Sequence, residues 1–337
     1  MVFRPFCISH PPPHILLRGG MGLKRSDEVR KYFIYSLMYV ALCVVIVPLA
    51  ASRLSSRGVT TKRVEGERTE TGKYTVGGQS MEDYIKGVVA AEMPASFPEE
   101  ALKAQAVASR TYAVRAVDNA DFDLEPGDIG QAYVTVDEMR ENWGENFDEY
   151  YSKISGAVDS TKDEIMVYKG EPILAVFHST SAGETERAGN IWNYDLPYLE
   201  STDSVGDTFA PNYETRTEIP SAEVIAKIKE KYPEFEADEN GLFESIAINE
   251  RSGAGYITDM TVGNMSFTGK QIREALGLRS ANFTVEKGEN GIIFTTKGYG
   301  HGAGMSQYGA KYMAENGSDY RAILNHYYKD VDIEKLS

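Results

Sequence analysis

Residues 81–120 read MEDYIKGVVAAEMPASFPEEALKAQAVASRTYAVRAVDNA, and their periodicity decides the fold class. Tyr84, Ile85, Val88, Val89 and Glu92 recur at the i, i+3/i+4 spacing of one helix face, so a first helix buries that stripe and carries Glu92 at its end. Met93-Pro94 follows, and proline cannot continue a helix that needs its N–H, so the helix stops or kinks there. A second helix begins with Ser96 as N-cap and Glu99 three residues on, the spacing of a capping box. Its Ala101, Ala104, Ala106, Val107, Ala108, Ala113, Val114, Ala116 and Val117 leave little wet face, which predicts burial on most sides.

Most strand-like runs come later in the chain, so the fold class is α+β. Glu164 to Tyr168 and Glu171 to Phe177 flank Lys169-Gly170 and read as a β-hairpin that delivers His178 into the loop HSTSAGETE. An amphipathic helix fits Ser221 to Lys231, and strands fit Phe243 to Asn249, Tyr256 to Val262, Asn282 to Glu286 and Ile292 to Thr296. A short helix starts near Thr268 and stops at Gly277. Near the C-terminus a Gly-rich turn opens one helix, Asn316-Gly317 ends it, and Ser318 caps another. Residues 52–80 are a polar spacer with one strand near Tyr74 to Val76, and residues 121–151 show no assignable pattern.

The composition, 42% apolar and 25% charged, is that of a chain able to bury a core. Net charge is −15, which excludes the basic field of a nucleic-acid binder. The charge is uneven. Residues 1–57 hold eight basic and two acidic groups, leaving 27 against 48, or −21, over the other 280 residues.

Tyr32 to Ala50 is nineteen residues without a charge, near the roughly 20 that cross a bilayer. With Lys24, Arg25, Arg30 and Lys31 before it, the positive-inside rule predicts a single-pass anchor at the cell membrane, with a cytoplasmic tail over 1–31, a transmembrane helix over 32–51 and an extracytoplasmic domain over 81–337. The alternative is a cleaved signal peptide, whose apolar stretch is usually shorter. Residues 1–20 match no structural pattern, and Met21 is an alternative start. Cys7 and Cys43 both precede the outer domain, which therefore has no disulfide and no thiolate metal site.

Glu92 is the most informative carboxylate. Held at an apolar helix end it is desolvated and its pKa rises, the condition for a general acid near neutral pH; the alternative is a surface glutamate on a frayed last turn. On the second helix Gln105 and Ser109 share a face with Tyr112, while Arg110 points about 140° away from Gln105. One of the two can face Glu92 and the other hold loops, unless both only satisfy backbone carbonyls. His178 and His301 sit in loops, the latter among Gly298, Gly300, Gly302 and Gly304, which permit close backbone approach to a ligand. A metal site from these histidines and a carboxylate lacks any recognised ligand spacing.

Three segments, GVVAAEMPASFPEEALKAQAVASRTYA (87–113), AVFHSTSAGETE (175–186) and GYGHGAGMSQYGA (298–310), occur in that order. Together they resemble the stage II sporulation protein D and amidase-enhancer family across most of the outer domain. The resemblance implies a lytic transglycosylase that cleaves peptidoglycan glycan strands during engulfment of the forespore, needs no cofactor, and works with a cell-wall amidase and a multispanning membrane protein. It implies that Glu92 of the EMP motif is catalytic and that Gln105, Arg110, His178, Ser179, His301, Ser306 and Gln307 bind substrate. Two departures stand out: Ala182 replaces a usual glycine, and the cysteines by which some members hold zinc are absent, so no metal is expected. The rival readings are a non-catalytic glycan-binding module that stimulates an amidase and a metal-dependent hydrolase built on the histidines. The −21 body would not attract anionic stem peptides, which favours glycan already stripped of them.

Overall fold

The structure, a computed structural model, describes residues 74–192 and 194–336. Strands β1 (Thr75–Val76) and β2 (Gln79–Ser80) form a tight antiparallel pair that feeds α1 (Met81–Glu92). Ser80 caps α1 by accepting the Asp83 N–H on its side chain. The stripe Tyr84, Ile85, Val88 and Val89 is buried as the periodicity predicts, and Met93 turns to extended backbone and ends the helix.

The second helix, α2 (Glu99–Asp118), starts later than the sequence pattern implies. Its N-cap is Pro98, without a side-chain cap, and Ser96 lies exposed outside it. Pro98 disfavours helical backbone at Phe97, so a turn beginning at Ser96 cannot form. Residues 121–151, without assignable pattern in the sequence, contain α3 (Pro126–Ile129), α4 (Val136–Trp143, with a Thr135/Glu138 capping box) and the start of α5 (Phe147–Ser160).

The hairpin is shorter than expected. β3 (Glu164–Tyr168) pairs with β4, which is only Glu171–Pro172. The chain then leaves, and β5 (Phe177–His178) pairs elsewhere. After α6 (Ala188–Trp192) comes a second core built from β6 (Glu214–Pro220), α7 (Ser221–Lys231), β7 (Ala247–Arg251), β8 (Ile257–Val262), β9 (Met265–Phe267), α8 (Gly269–Leu276), β10 (Phe283–Lys287) and β11 (Gly291–Lys297). Two antiparallel three-stranded sheets, ordered β10-β11-β6 and β7-β8-β9, enclose Phe235, Met260, Phe267, Phe283 and Phe294. Thr268 and Gly277 bound α8 as the sequence predicts, with a Gln271 capping box and a left-handed C-cap. The lobe opens and closes at one point, where the Gly298 N–H donates to the Tyr213 carbonyl at 2.8 Å.

The chain then rejoins the first core. β12 (Met305–Ser306) pairs in parallel with β5, α9 (Gln307–Glu315) and α10 (Tyr320–Tyr327) follow, and β13 (Asp332–Lys335) covers the free edge of β3. Asp319, not Ser318, caps α10. Around α2 pack α1, α5, α9, α10 and β3, so the apolar second helix is the hub. Each Leu or Val fully buried against it, such as Leu102, Val107 or Val114, contributes roughly 1.5–3 kcal/mol.

The expectation of a single transmembrane helix followed by a helix and β-hairpin domain is corrected. Among the described residues no helix is long and apolar enough to cross a membrane. The longest, α2, carries Glu99, Glu100, Lys103, Arg110, Arg115 and Asp118 and lies at the centre of the first hydrophobic core. The segment 32–51 lies outside the described residues, as do the tail and most of the spacer. What the structure supports is a mixed helix and strand fold with small sheets and two hydrophobic cores.

Candidate active site

Glu92 ends α1, and the loop that meets it lies directly on that helix. Gly87 makes this possible, since a Cβ there would strike the Tyr133 ring and the Val134 carbonyl. Glycine in a helix interior costs about 1 kcal/mol relative to alanine, and here it lets Tyr133 stack on Tyr84 with 5.5 Å between centroids. The Val134 N–H reaches the Gly87 carbonyl, and the Ala132 N–H donates to the Glu92 carboxylate at 2.9 Å.

The carboxylate stays partly exposed at its rim yet is walled in by protein. Burial raises its pKa, and the hydrogen bonds from Ala132 and Gln307 offset this only in part. Gln307, the first residue of α9, also donates to the Gln105 side-chain oxygen at 3.3 Å, and Gln105 donates to Ser109 Oγ at 2.9 Å. A line of amides thus runs from α2 to the carboxyl group. The structure brings Glu92, Gln105 and Gln307 together from helices far apart in sequence.

His178 and Ser306 are register partners in the β5–β12 pair, which sets the histidine beside the residue preceding Gln307. Gly304 allows the approach: its φ is 68°, and a side chain would collide with the Val176 carbonyl. His178 and His301 lie 5.6 Å apart, and Trp192 lies 5.4 Å from His301. The backbone of one residue, Ala303, orients both rings. His178 Nδ1 lies 3.0 Å from the Ala303 carbonyl and must donate, while the Ala303 N–H donates to His301 Nδ1 at 3.1 Å. His178 Nε2 is therefore a lone-pair acceptor, and it is buried without a partner. Burial pushes His178 down to about 4 and, with His178 as its neighbour, His301 down to about 3, so both are neutral near pH 7.

The remaining expected residues serve the fold. Arg110 is fully buried and donates from Nε and an amino nitrogen to both Glu82 oxygens, at 2.9 and 2.6 Å, and to the carbonyls of Glu164 and Val158. Every one of these bonds is internal, so the structure does not bring Arg110 to the Glu92 group. Ser306 caps α9 and donates to Asp207 at 2.5 Å. Ser179 is half-buried, its carbonyl taken by the Tyr308 N–H.

Asp207 is a residue the sequence reading missed. It accepts Ser181 Oγ at 2.5 Å and the Ser181 N–H at 2.8 Å besides Ser306, and burial raises its pKa. It ties the histidine loop to the start of α9, and no local pattern marks it because its partners lie 26 and 99 residues away. Among the described residues no cluster of three metal-ligating groups is brought together. A pocket elsewhere, lined by Ile219, Lys227, Leu276 and Arg279 among others, lies in the second lobe and contains none of these groups.

The family model of the stage II sporulation protein matches residues 69–168, which contain Glu92, Gln105 and Arg110. Stage II sporulation protein D of Bacillus amyloliquefaciens is 38% identical over 281 residues, 79% of this chain and 77% of that protein. Its counterpart in Bacillus subtilis (strain 168) is 36% identical over the same shares. The amidase enhancer of Bacillus subtilis is 28% identical over 72% of this chain, which spans 39% of that longer protein. On the strength of identity above 30% across more than two thirds of its length, with the EMP glutamate set among the partners just described, the chain belongs to the stage II sporulation protein D family.

Proposed function

We propose that the chain is a peptidoglycan lytic transglycosylase of sporulation, acting on the extracytoplasmic side of the cell membrane during forespore engulfment. The observation that carries this reading is Glu92: a walled-in carboxyl group whose pKa is raised by burial and that is hydrogen-bonded by Ala132 and Gln307. One such group suffices for the chemistry. Protonated Glu92 gives its proton to the glycosidic oxygen between N-acetylmuramic acid and N-acetylglucosamine, and the C–O bond breaks. The resulting carboxylate removes the proton of the muramoyl 6-hydroxyl as that oxygen closes on the anomeric carbon, which forms the 1,6-anhydro ring and restores the acid. No water is consumed. The Gln307 amide, itself held by Gln105, orients the carboxyl group.

The relatives' names support a place in sporulation beside a cell-wall amidase; the reading adds glycan stripped of stem peptides as substrate and a multispanning membrane protein in the same engulfment complex. The test is incubation of the purified chain with amidase-treated glycan and mass spectrometry of the products. Anhydromuramoyl ends, reduced roughly 100- to 10,000-fold in Glu92→Gln, are expected from loss of a general acid. The amidase-enhancer relative makes a non-catalytic module the second reading, and glycan binding without any anhydro product would establish it instead.

A further inference from the structure

Helix α8 of the second lobe sends two cations toward the histidine pair. Lys270 and Arg273 stand three residues apart and so share a face. Lys270 Nζ donates to the Ile191 carbonyl at 3.3 Å, beside the Trp192 that lies against His301. Arg273 Nε donates at 3.2 Å to the Arg279 carbonyl, which also takes the Gly300 N–H, one residue before His301. Lys270 is thereby held beside Trp192 and Arg273 beside Gly300, both neighbours of His301. Behind them the Arg279 guanidinium lies 4.0 Å over the Tyr299 ring, and its buried Nε has no partner.

Three positive charges gather here in a body of net charge −21, and among the described residues none of them is in an ion pair. The nearby buried carboxylate, Glu186, takes its bonds from Ser252, Asn190 and the Arg187 N–H. Nor does the helix gain from Lys270, which stands in its first turn at the positive end of the helix dipole. Both histidines on this surface are neutral, so they add polar contacts without adding charge.

We propose that Lys270 and Arg273, backed by Arg279, form a carboxylate subsite beside the His178 and His301 pair, and that it takes the lactyl carboxylate of a muramoyl residue. This rests on the transglycosylase reading for the identity of the sugar. In intact wall the lactyl carbonyl is tied in an amide to the stem peptide and carries no charge. Removing the peptide leaves a free carboxylate on every muramoyl unit, so the subsite distinguishes stripped glycan by a charge that stripping creates.

The experiment compares three probes: stripped glycan strands, the same strands with the lactyl carboxyls converted to methyl amides, and chitin oligosaccharides. Calorimetric affinity is measured with the full chain carrying Glu92→Gln, so that nothing is cleaved, and cleavage rates are measured with the unmodified chain. Stripped glycan is expected to bind about tenfold or more tightly than its amide form or chitin, the scale of a charge-assisted contact. Lys270→Gln and Arg273→Gln, tested separately, should each reduce that preference while leaving affinity for the amide form unchanged. Equal affinity of the parent chain for free and amide strands overturns the proposal, and this comparison needs no variant to fold. Equal loss on all three probes in both variants also overturns it. If the parent chain cleaves both forms at one rate, the subsite falls and the transglycosylase stands. If it cleaves neither but prefers the free carboxylate, the subsite stands and the catalytic reading falls.

Discussion

The Glu92 pKa is raised because burial outweighs two hydrogen bonds that favour the anion. Removing one of those donors has a definite sign. Gln307→Leu deletes a contact to the charged form, so the carboxyl pKa rises further and the acid survives to higher pH. The alkaline limb of kcat/KM should move upward in Gln307→Leu, while an unmoved limb would show that this amide does not feel the charge. His178 behaves in the opposite sense. Its pKa is depressed from 6.5 to about 4, so the unfolded chain binds the extra proton first, and stability falls as pH drops through that window. By pH 4 the loss from His178 is about 3 kcal/mol. Glu92 and Asp207, with raised values, contribute slopes of the other sign, so the histidine share is read as the flattening of the acid limb of a urea-denaturation series in His178→Gln.

Helix α2 presents two faces with different duties. Gln105 looks toward the carboxyl group, whereas Arg110 fastens Glu82 of α1 to the carbonyl ends of α5 and β3. Arg110→Met leaves the half-buried Glu82 without its ion partner and should destabilise the fold by about 3 kcal/mol, the low end for a broken buried pair, measured by urea unfolding. Its KM for glycan should stay within about twofold if these internal bonds are the whole role of the residue. The division of faces was legible in the sequence, because it follows from 100° per residue. So was the burial of Tyr84 to Val89, which needs only the helical repeat. The Glu82 pairing was not, since two residues 28 apart carry no mutual signal. Pro98 showed how one local rule overrides another: the capping-box spacing at Ser96 was present, and the restriction before proline cancelled it.

At the scale of the molecule, the chain places its acidic surplus and its catalytic candidate in the same body. Long-range repulsion of anionic glycan is screened within about 10 Å at 0.1 M salt, while partly buried contacts are screened less. The kcat/KM for stripped glycan should therefore rise as salt goes from about 0.01 to 0.1 M, and a steady fall over that range would show that attraction governs the approach. Both helices between 214 and 297 and the strands near 256–262, 282–286 and 292–296 were found nearly where expected, whereas β6 and β9 were not foreseen and Phe243–Ser245 is a 3-10 turn ahead of β7; their enclosure of a separate core was hidden, because periodicity reports a buried face and not what buries it. The two histidines were likewise visible as loop residues, but their shared orientation by the N–H and C=O of Ala303 arises only when β5 and β12 meet.

The bond from Gly298 to Tyr213 closes the second lobe at its neck. Two chain ends held 2.8 Å apart there make the lobe a cassette: another insertion with the same spacing could be spliced in without moving Glu92, Gln105 or Gln307. Chemistry and selectivity would then be inherited separately, one from the helical core and the other from whatever helix the cassette lays beside His301.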